Sequence, residues 1–289
     1  MVASNRELAD FLRRARAQCD PARAGLPPDT RVRRVPGLRR EEVARLAGVS
    51  ADYYARLEQG RHITPSPAVV EALAQALELD AAGRAHLNDL IGTTTAVPRR
   101  RRPPTVQRLR SGLHQLLDSM EGTPALVLGR RADVLGINRI AKALFTDFDA
   151  LPPAQRNYTR WLLLDPEART LFVDWDLQAR AAVENLRLDV GRTPDDQPTQ
   201  DLVTELKENS TEFDRWWQQH RVHQRTHGSK RLLHPLVGEV TVQYETFALP
   251  GDTEAAVFLY STEAGSPSRH ALDLLTSWTL TPTVPRSES

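Results

Sequence analysis

Apolar residues recur at helical spacing through the first 92 positions. Leu8, Phe11, Leu12 and Ala15 share one face of a predicted first helix, opened by Ser4 as N-cap with Glu7 three residues on and stopped before Pro21. Residues 17–36 hold four prolines and little periodicity, which reads as a long loop. From Leu38 to Gly60 the apolar positions Leu38, Val43, Leu46, Ala47, Val49, Tyr54 and Leu57 predict two short helices broken at Gly48. Ser66-Pro67 supplies N-cap and N1 of a fourth helix, with Val69, Val70, Leu73 and Leu77 inward. Asp80 caps a fifth, with Leu87, Leu90 and Ile91 inward and Gly92 at its end. The pattern over 1–92 is thus an all-α, five-helix domain.

The pattern then changes. Thr93 to Pro104 (TTTAVPRRRRPP) has no apolar period and three prolines, the mark of a linker at 93–104. A second domain, 105–289, opens with a helix to about Met120 and two short strands, Ala125 to Gly129 and Asp133 to Asn138, across a tight turn. Helical segments follow from 139 to 220. Strand chemistry returns at His234 to Leu249 and Ala255 to Ser261, and a last helix runs from Pro267 to about Trp278. Strands early and late around a helical middle predict an α+β domain with an antiparallel sheet.

Composition narrows the class. The longest apolar run, Ala255 to Tyr260, has six residues, where a bilayer span needs about 18, so no membrane helix is expected. The first twenty residues are charged and lack an apolar stretch, unlike a secretory signal. The lone Cys19 fits a reducing cytoplasm, although its arginine neighbours could lower its pKa. The net charge of +1 hides a division: through Arg110 there are 20 arginines against 12 acidic residues, or +8, and the remainder carries −7. A basic front half is what contact with a polyanion requires.

Arg40 to Gln59 concentrates the chemistry. A DNA-reading helix-turn-helix needs a small residue where its helices cross, a glycine at the turn and a buried apolar residue after it; Ala44, Gly48 and Val49 supply them. Ser50 is placed to cap the second helix, and Ser50, Ala51, Asp52, Ala55 and Arg56 face outward in this register.

These residues resemble a known family. The stretch VPGLRREEVARLAGVSADYYARLEQGR (35–61), followed by LGRRADVLGINRIAKALF (128–145), LDPEAR (164–169), HGSKRLLHPLVGEVTVQYET (227–246) and STEAGSPS (261–268), is similar to the MmyB-like transcription regulators. The resemblance implies a lambda-repressor-like helix-turn-helix domain joined to a C-terminal PAS-like domain that senses a small amphipathic or fatty-acid-like effector. Where family members carry aromatics, this chain has Ala132 and Ile137, which implies a pocket of different size.

Carried onto this sequence, the resemblance makes Arg56 the first candidate for a base contact. Ser50 and Asp52 are candidates for polar contacts and Ala51 for a thymine methyl, with Asp52 equally readable as a helix cap. Arg39, Arg40 and Arg61 read as phosphate clamps. Arg99 to Arg102 read either as a DNA-tracking arm or as a solvated linker.

In the second domain Asn138 and Arg139 are candidate polar anchors, Arg139 for a carboxylate head group. Leu126, Leu128, Leu135, Leu144, Phe145 and Phe148 are candidates to line an acyl chain. Trp161, Phe172, Trp175, Phe213, Trp216 and Trp217 read either as the floor of a ligand pocket or, by default for aromatics in a helical layer, as core. His220, His223, His227 and His234 are interleaved with basic residues and do not read as a metal site.

Nucleophile-elbow, phosphate-loop, dinucleotide and zinc-protease motifs are missing, so neither an enzyme nor a bound cofactor is expected. The reading is a sequence-specific regulator acting on double-stranded operator DNA as a homodimer. Its alternatives are a regulator whose second domain only dimerises or docks a protein, and an enzyme fused to a DNA-targeting module.

Overall fold

The structure, a computed structural model, describes residues 2–21, 37–61, 63–95, 107–222, 226–249 and 252–280. Arg99 to Arg102, most of the 17–36 loop and His223 lie outside the described residues. The first five helices are α1 (Val2–Gln18), α2 (Arg40–Leu46), α3 (Ala51–Glu58), α4 (Pro67–Ala76) and α5 (Ala81–Thr95). Helix α1 begins ahead of Ser4 and α5 runs past Gly92, so neither residue is the boundary the sequence suggested. Caps and glycines bias helix ends without fixing them, and in each case the helix continues past the signal.

After these come α6 (Ser111–Ser119), β1 (Ala125–Leu128), β2 (Val134–Ile137), α7 (Arg139–Leu144), α8 (Tyr158–Leu164), α9 (Pro166–Leu171), α10 (Trp175–Arg192), α11 (Gln197–Asn209) and α12 (Thr211–Trp217). Strands β3 (His227–His234), β4 (Gly238–Leu249) and β5 (Asp252–Ser261) and helix α13 (Pro267–Leu280) complete the chain. It divides into two compact units. The first takes in 1–104 together with 187–204 and 214–224; the second takes in 105–186, 205–213 and 225–289.

In the first unit one core joins the five helices: Leu8, Phe11, Leu12, Val43, Ala44, Tyr54, Leu57, Val70, Leu73, Leu87 and Leu90 are all buried in it. Leu46, one of the apolar positions of the helical pattern, is exposed. Val222 packs against the same core, so the later segments of this unit contribute to its interior. Helix α2 ends in a Schellman turn in which Gly48 (φ +66°) donates to Arg45 O at 3.2 Å and Val49 to Ala44 O at 2.9 Å.

The second unit is built on a five-stranded sheet ordered β2-β1-β5-β4-β3, with every pairing antiparallel. The α+β class read from the sequence therefore holds. Of strand β3 the sequence reading included only His234, because a buried position within the strand is the polar Lys230. Alternation gives the sheet two faces. Ala125, Val127 and Ala255 form one apolar cluster with Leu117 of α6, whereas Leu126, Tyr244 and Tyr260 belong to the other face.

Candidate DNA-binding and effector sites

Helix α3 carries the candidate reading surface. Ser50 caps it, its Oγ accepting from the Tyr53 N–H at 3.1 Å, so this hydroxyl is engaged in holding the helix end. Tyr54, Leu57 and Glu58 are buried, while Ala51, Asp52 and Arg56 are exposed and Ala55 is half-buried. At the far end Gly60 donates to Leu57 O and Arg61 to Arg56 O, both at 3.0 Å, a second Schellman turn that fixes the backbone of exposed Arg61 relative to Arg56.

What holds α3 against α1 and α2 is an ion cluster that the sequence reading missed. Arg16 donates from Nε to Glu58 Oε2 at 3.0 Å and from Nη2 to Glu58 Oε1 at 2.9 Å, and Arg40 Nε reaches Glu58 Oε1 at 3.2 Å. Arg16 also donates to Leu38 O at 2.8 Å, tying in the segment that precedes α2. Burial pushes the Glu58 carboxyl up, but hydrogen bonds and charges from Arg16 and Arg40 outweigh it and hold the group below the ordinary carboxylate range. The hydrogen bond to Glu58 in turn raises Arg16, against the opposing effect of burial.

Arg40, read as a phosphate clamp, is thus an ion-pair partner of Glu58 whose side chain keeps 49% exposure. Arg39 sits at the N-cap of α2, its backbone N–H donating to the Glu42 carboxylate at 2.6 Å. The only signal for the cluster in the sequence was an acidic residue beside Leu57, on the inward side of a helix.

Cys19 is buried, and burial followed by the Glu78 charge pushes its thiol up to about 11, opposite to the lowering its arginine neighbours suggested. Its Sγ donates to Ala15 O at 3.3 Å and Leu77 O at 3.2 Å, so it acts as a small packed side chain.

The candidate effector residues of the second unit do not converge. Asn138 is buried and caps α7 with all four amide positions in use. Its Oδ1 accepts from Ala125 N (3.0 Å) and Ala141 N (3.1 Å), and its Nδ2 donates to Met120 O (3.0 Å) and Thr123 O (2.8 Å). A side chain so committed has nothing left to offer a ligand. Arg139 is exposed and borders a cleft with Asp118 and Glu121, two acids that disfavour a carboxylate guest. Leu135 packs with Leu117, Ala125 and Val127, on the face of the sheet opposite Leu126, and Leu128 is half-buried.

Leu126, Leu144, Phe145 and Phe148 are buried. The two phenylalanines enter an aromatic layer with Tyr158, Trp161, Phe172 and Tyr260, with ring centroids 5.0–6.5 Å apart. Lys230 meets this layer, and His234 is buried on the same face of β3. Lys230 of β3 donates to Gln178 Oε1 at 2.9 Å, and His234 is held through Nε2 against Ala143 O at 2.9 Å and through Nδ1, which accepts from Leu236 N at 3.2 Å.

Among the described residues no three His, Cys, Asp or Glu side chains are grouped to hold a metal ion, and no helix is long and apolar enough to cross a membrane. No curated protein matches the chain. Residues 7–87 match a helix-turn-helix domain, and residues 109–275 match the MmyB-like transcription regulator ligand binding domain. The second match spans more than half of the chain and includes the segments that fold with the first unit. With a basic helix-turn-helix unit on one side and an α+β unit on the other, the chain belongs to the MmyB-like transcription regulators and is a DNA-binding regulator with a ligand-binding domain.

Proposed function

We propose that the protein reads a specific operator with α3, as a homodimer on two half-sites about one helical turn apart, and that its second unit senses a small amphipathic, fatty-acid-like effector. The observation that carries the operator reading is the division of α3. Its inner face is anchored through Tyr54, Leu57 and the Glu58 ion cluster, while Ala51, Asp52 and Arg56 stand outward on a helix capped at both ends. A rigid helix presenting a guanidinium suits bidentate contact with a guanine edge. Exposed Phe247, Leu274 and Trp278 of the second unit support dimerisation, since large apolar side chains at a surface favour a protein partner. Aromatic Phe145, Phe148 and Phe172 supply the apolar surroundings that an amphipathic effector requires.

The effector would act by differential affinity, shifting operator binding only as far as it prefers one conformation of the protein over another. The test is selection of an operator from random duplexes, followed by Arg56→Ala and Arg61→Ala. Arg56→Ala is expected to reduce the preference for the selected site about 5–150-fold, the equivalent of ~1–3 kcal/mol. Arg61→Ala is expected to weaken all duplexes alike and flatten the salt dependence by about one unit. An unchanged preference in Arg56→Ala overturns the operator reading, and a monomer in native mass spectrometry with and without DNA overturns the dimer.

A further inference from the structure

Family match and packing divide the chain differently. Residues 187–204 and 214–224 lie inside the matched ligand binding domain, yet they fold with the helix-turn-helix helices. The last turns of α10 make part of this contact. Gly191 meets the ring of His86 on α5, and Arg192 Nε pairs with Asp89 Oδ2 of the same helix at 3.5 Å. His86 in turn meets Phe11 of α1 edge-on at 5.1 Å. Helix α1 also carries Arg16, whose two bonds to Glu58 seat α3. Three contacts therefore run from α10 through α5 and α1 to the candidate reading helix.

The same turns hold a charge that opposes their seating. Arg187 is 2% exposed, and its guanidinium lies 4.0 Å over the ring of Trp217. Nη2 donates to Trp217 O, and Nη1 stands 3.0 Å from His220 Nδ1, so both partners are neutral. Among the described residues no carboxylate is hydrogen-bonded to it. Glu7 and Asp10 of α1 favour the cation and Arg14 opposes it, but burial outweighs them and brings the group down to about 10.

We propose that Arg187–Arg192 is a clamp through which the ligand-binding part of the chain sets the operator affinity of α3. Seated, it steadies α5 and α1, and α1 holds Glu58. Lifted, it returns the Arg187 cation to water and gives up the Gly191 and Arg192 contacts, so α3 loses support. Fit at Gly191 and charge at Arg187 thus pull in opposite directions, which is what a two-position element needs. The proposal rests on the reading of α3 as the operator helix and adds the regulation of that helix.

The test follows native-state hydrogen exchange of the full chain, and its affinity for the selected operator, in three variants. Gly191→Ala and Arg192→Ala weaken the seated clamp; each is expected to speed exchange in α1, α3 and α5 and to weaken operator binding about 10-fold, with β4 and β5 unchanged. Arg187→Met removes the buried charge and is expected to do the reverse, slowing exchange in α3 several-fold and tightening operator binding. Damaged packing alone would move all three variants the same way. Should Gly191→Ala fail to fold, Arg192→Ala takes its place. Exchange in α3 that ignores these substitutions, or that speeds up in Arg187→Met, overturns the clamp and leaves the operator reading standing. If no operator is selected the operator reading falls, and α3 exchange still decides whether these turns seat that helix.

Discussion

The Cε1–Nδ1 edge of the His86 imidazole meets Gly191, so close that a Cβ on that glycine would stand 2.4 Å from Cε1 and 2.5 Å from Nδ1. His86 is buried on α5 and meets Phe11 of α1 edge-on at 5.1 Å, so the glycine completes a contact that reaches the helix-turn-helix core. Gly191 lies within α10, where helix propensity alone makes alanine better by about 1 kcal/mol. The contact reverses that sign. Gly191→Ala is expected to destabilise the first unit by roughly 1–3 kcal/mol, through overpacking against a ring that cannot retreat. Urea unfolding, with amide protection in α1 and α5 as the readout, checks it, and His86→Ala in the same chain should recover part of the loss.

Burial, reinforced by the positive charges of Arg187 and Arg192, brings His86 down to about 3. His220 is lowered to about 3 as well, by burial and then Arg187. Both are neutral when folded, whereas the unfolded chain protonates them near the ordinary histidine value of about 6.5. The unfolded state thus binds more protons between these limits. Stability of the first unit is therefore full above about pH 6.5 and declines as pH falls towards the folded values. His86 alone sets a slope of about 1.4 kcal/mol per pH unit, or about 2 kcal/mol between pH 6.5 and 5. His86→Phe keeps a ring and should flatten the decline by that amount in urea curves at the two pH values; parallel curves for the two proteins would refute it.

Strands β1 and β2 are joined by a turn in which Arg131 (φ +58°) and Ala132 (φ +63°) both adopt the left-handed conformation, closed by Asp133 N donating to Arg130 O at 2.8 Å. Two central residues at positive φ define the hairpin turn that prefers Asn-Gly, and neither residue here suits it. Ala132→Gly is expected to stabilise the second unit by roughly 0.5–1 kcal/mol, seen as a higher urea midpoint with unchanged slope.

Asn138→Asp tests the amide hub. The substitution preserves shape and retains acceptance from Ala125 N and Ala141 N, but turns a buried carboxylate towards the carbonyls of Met120 and Thr123. A loss of about 3–5 kcal/mol at neutral pH is expected, partly recovered on acidification as the carboxyl protonates and one donor returns. An Asp variant as stable as the native chain would show that the two bonds donated to Met120 O and Thr123 O do not hold the α6–β1 connection to α7.

The helix-turn-helix was legible because its constraints are local. Ala44 at the crossing, Gly48 at positive φ and Ser50 as cap each follow from a few neighbouring positions and stand as read, while Val49 after the glycine is only partly buried against the core. Glu58 and Lys230 escaped notice because charged side chains in the interior break the apolar pattern on which such reading depends. Lys230 also concealed most of β3, of which only His234 was read as strand. Asn138 and Arg139 were paired by adjacency, yet one amide is consumed by backbone and the other side chain is exposed. Nor could periodicity show that residues 187–204 and 214–224 fold with the first unit, since their burial depends on partners far along the chain.

The pairing of β1 with β5 sets a schedule for synthesis. Leu126 leaves the ribosome long before Phe258, its partner across the sheet, and until then that edge of β1 has no strand beside it. Val222, which packs on the helix-turn-helix core, also emerges late. At ~5–20 residues per second the wait is on the order of ten seconds. The nascent chain therefore adds the Val222 contact to its helix-turn-helix core only after much of the ligand-binding region has been made.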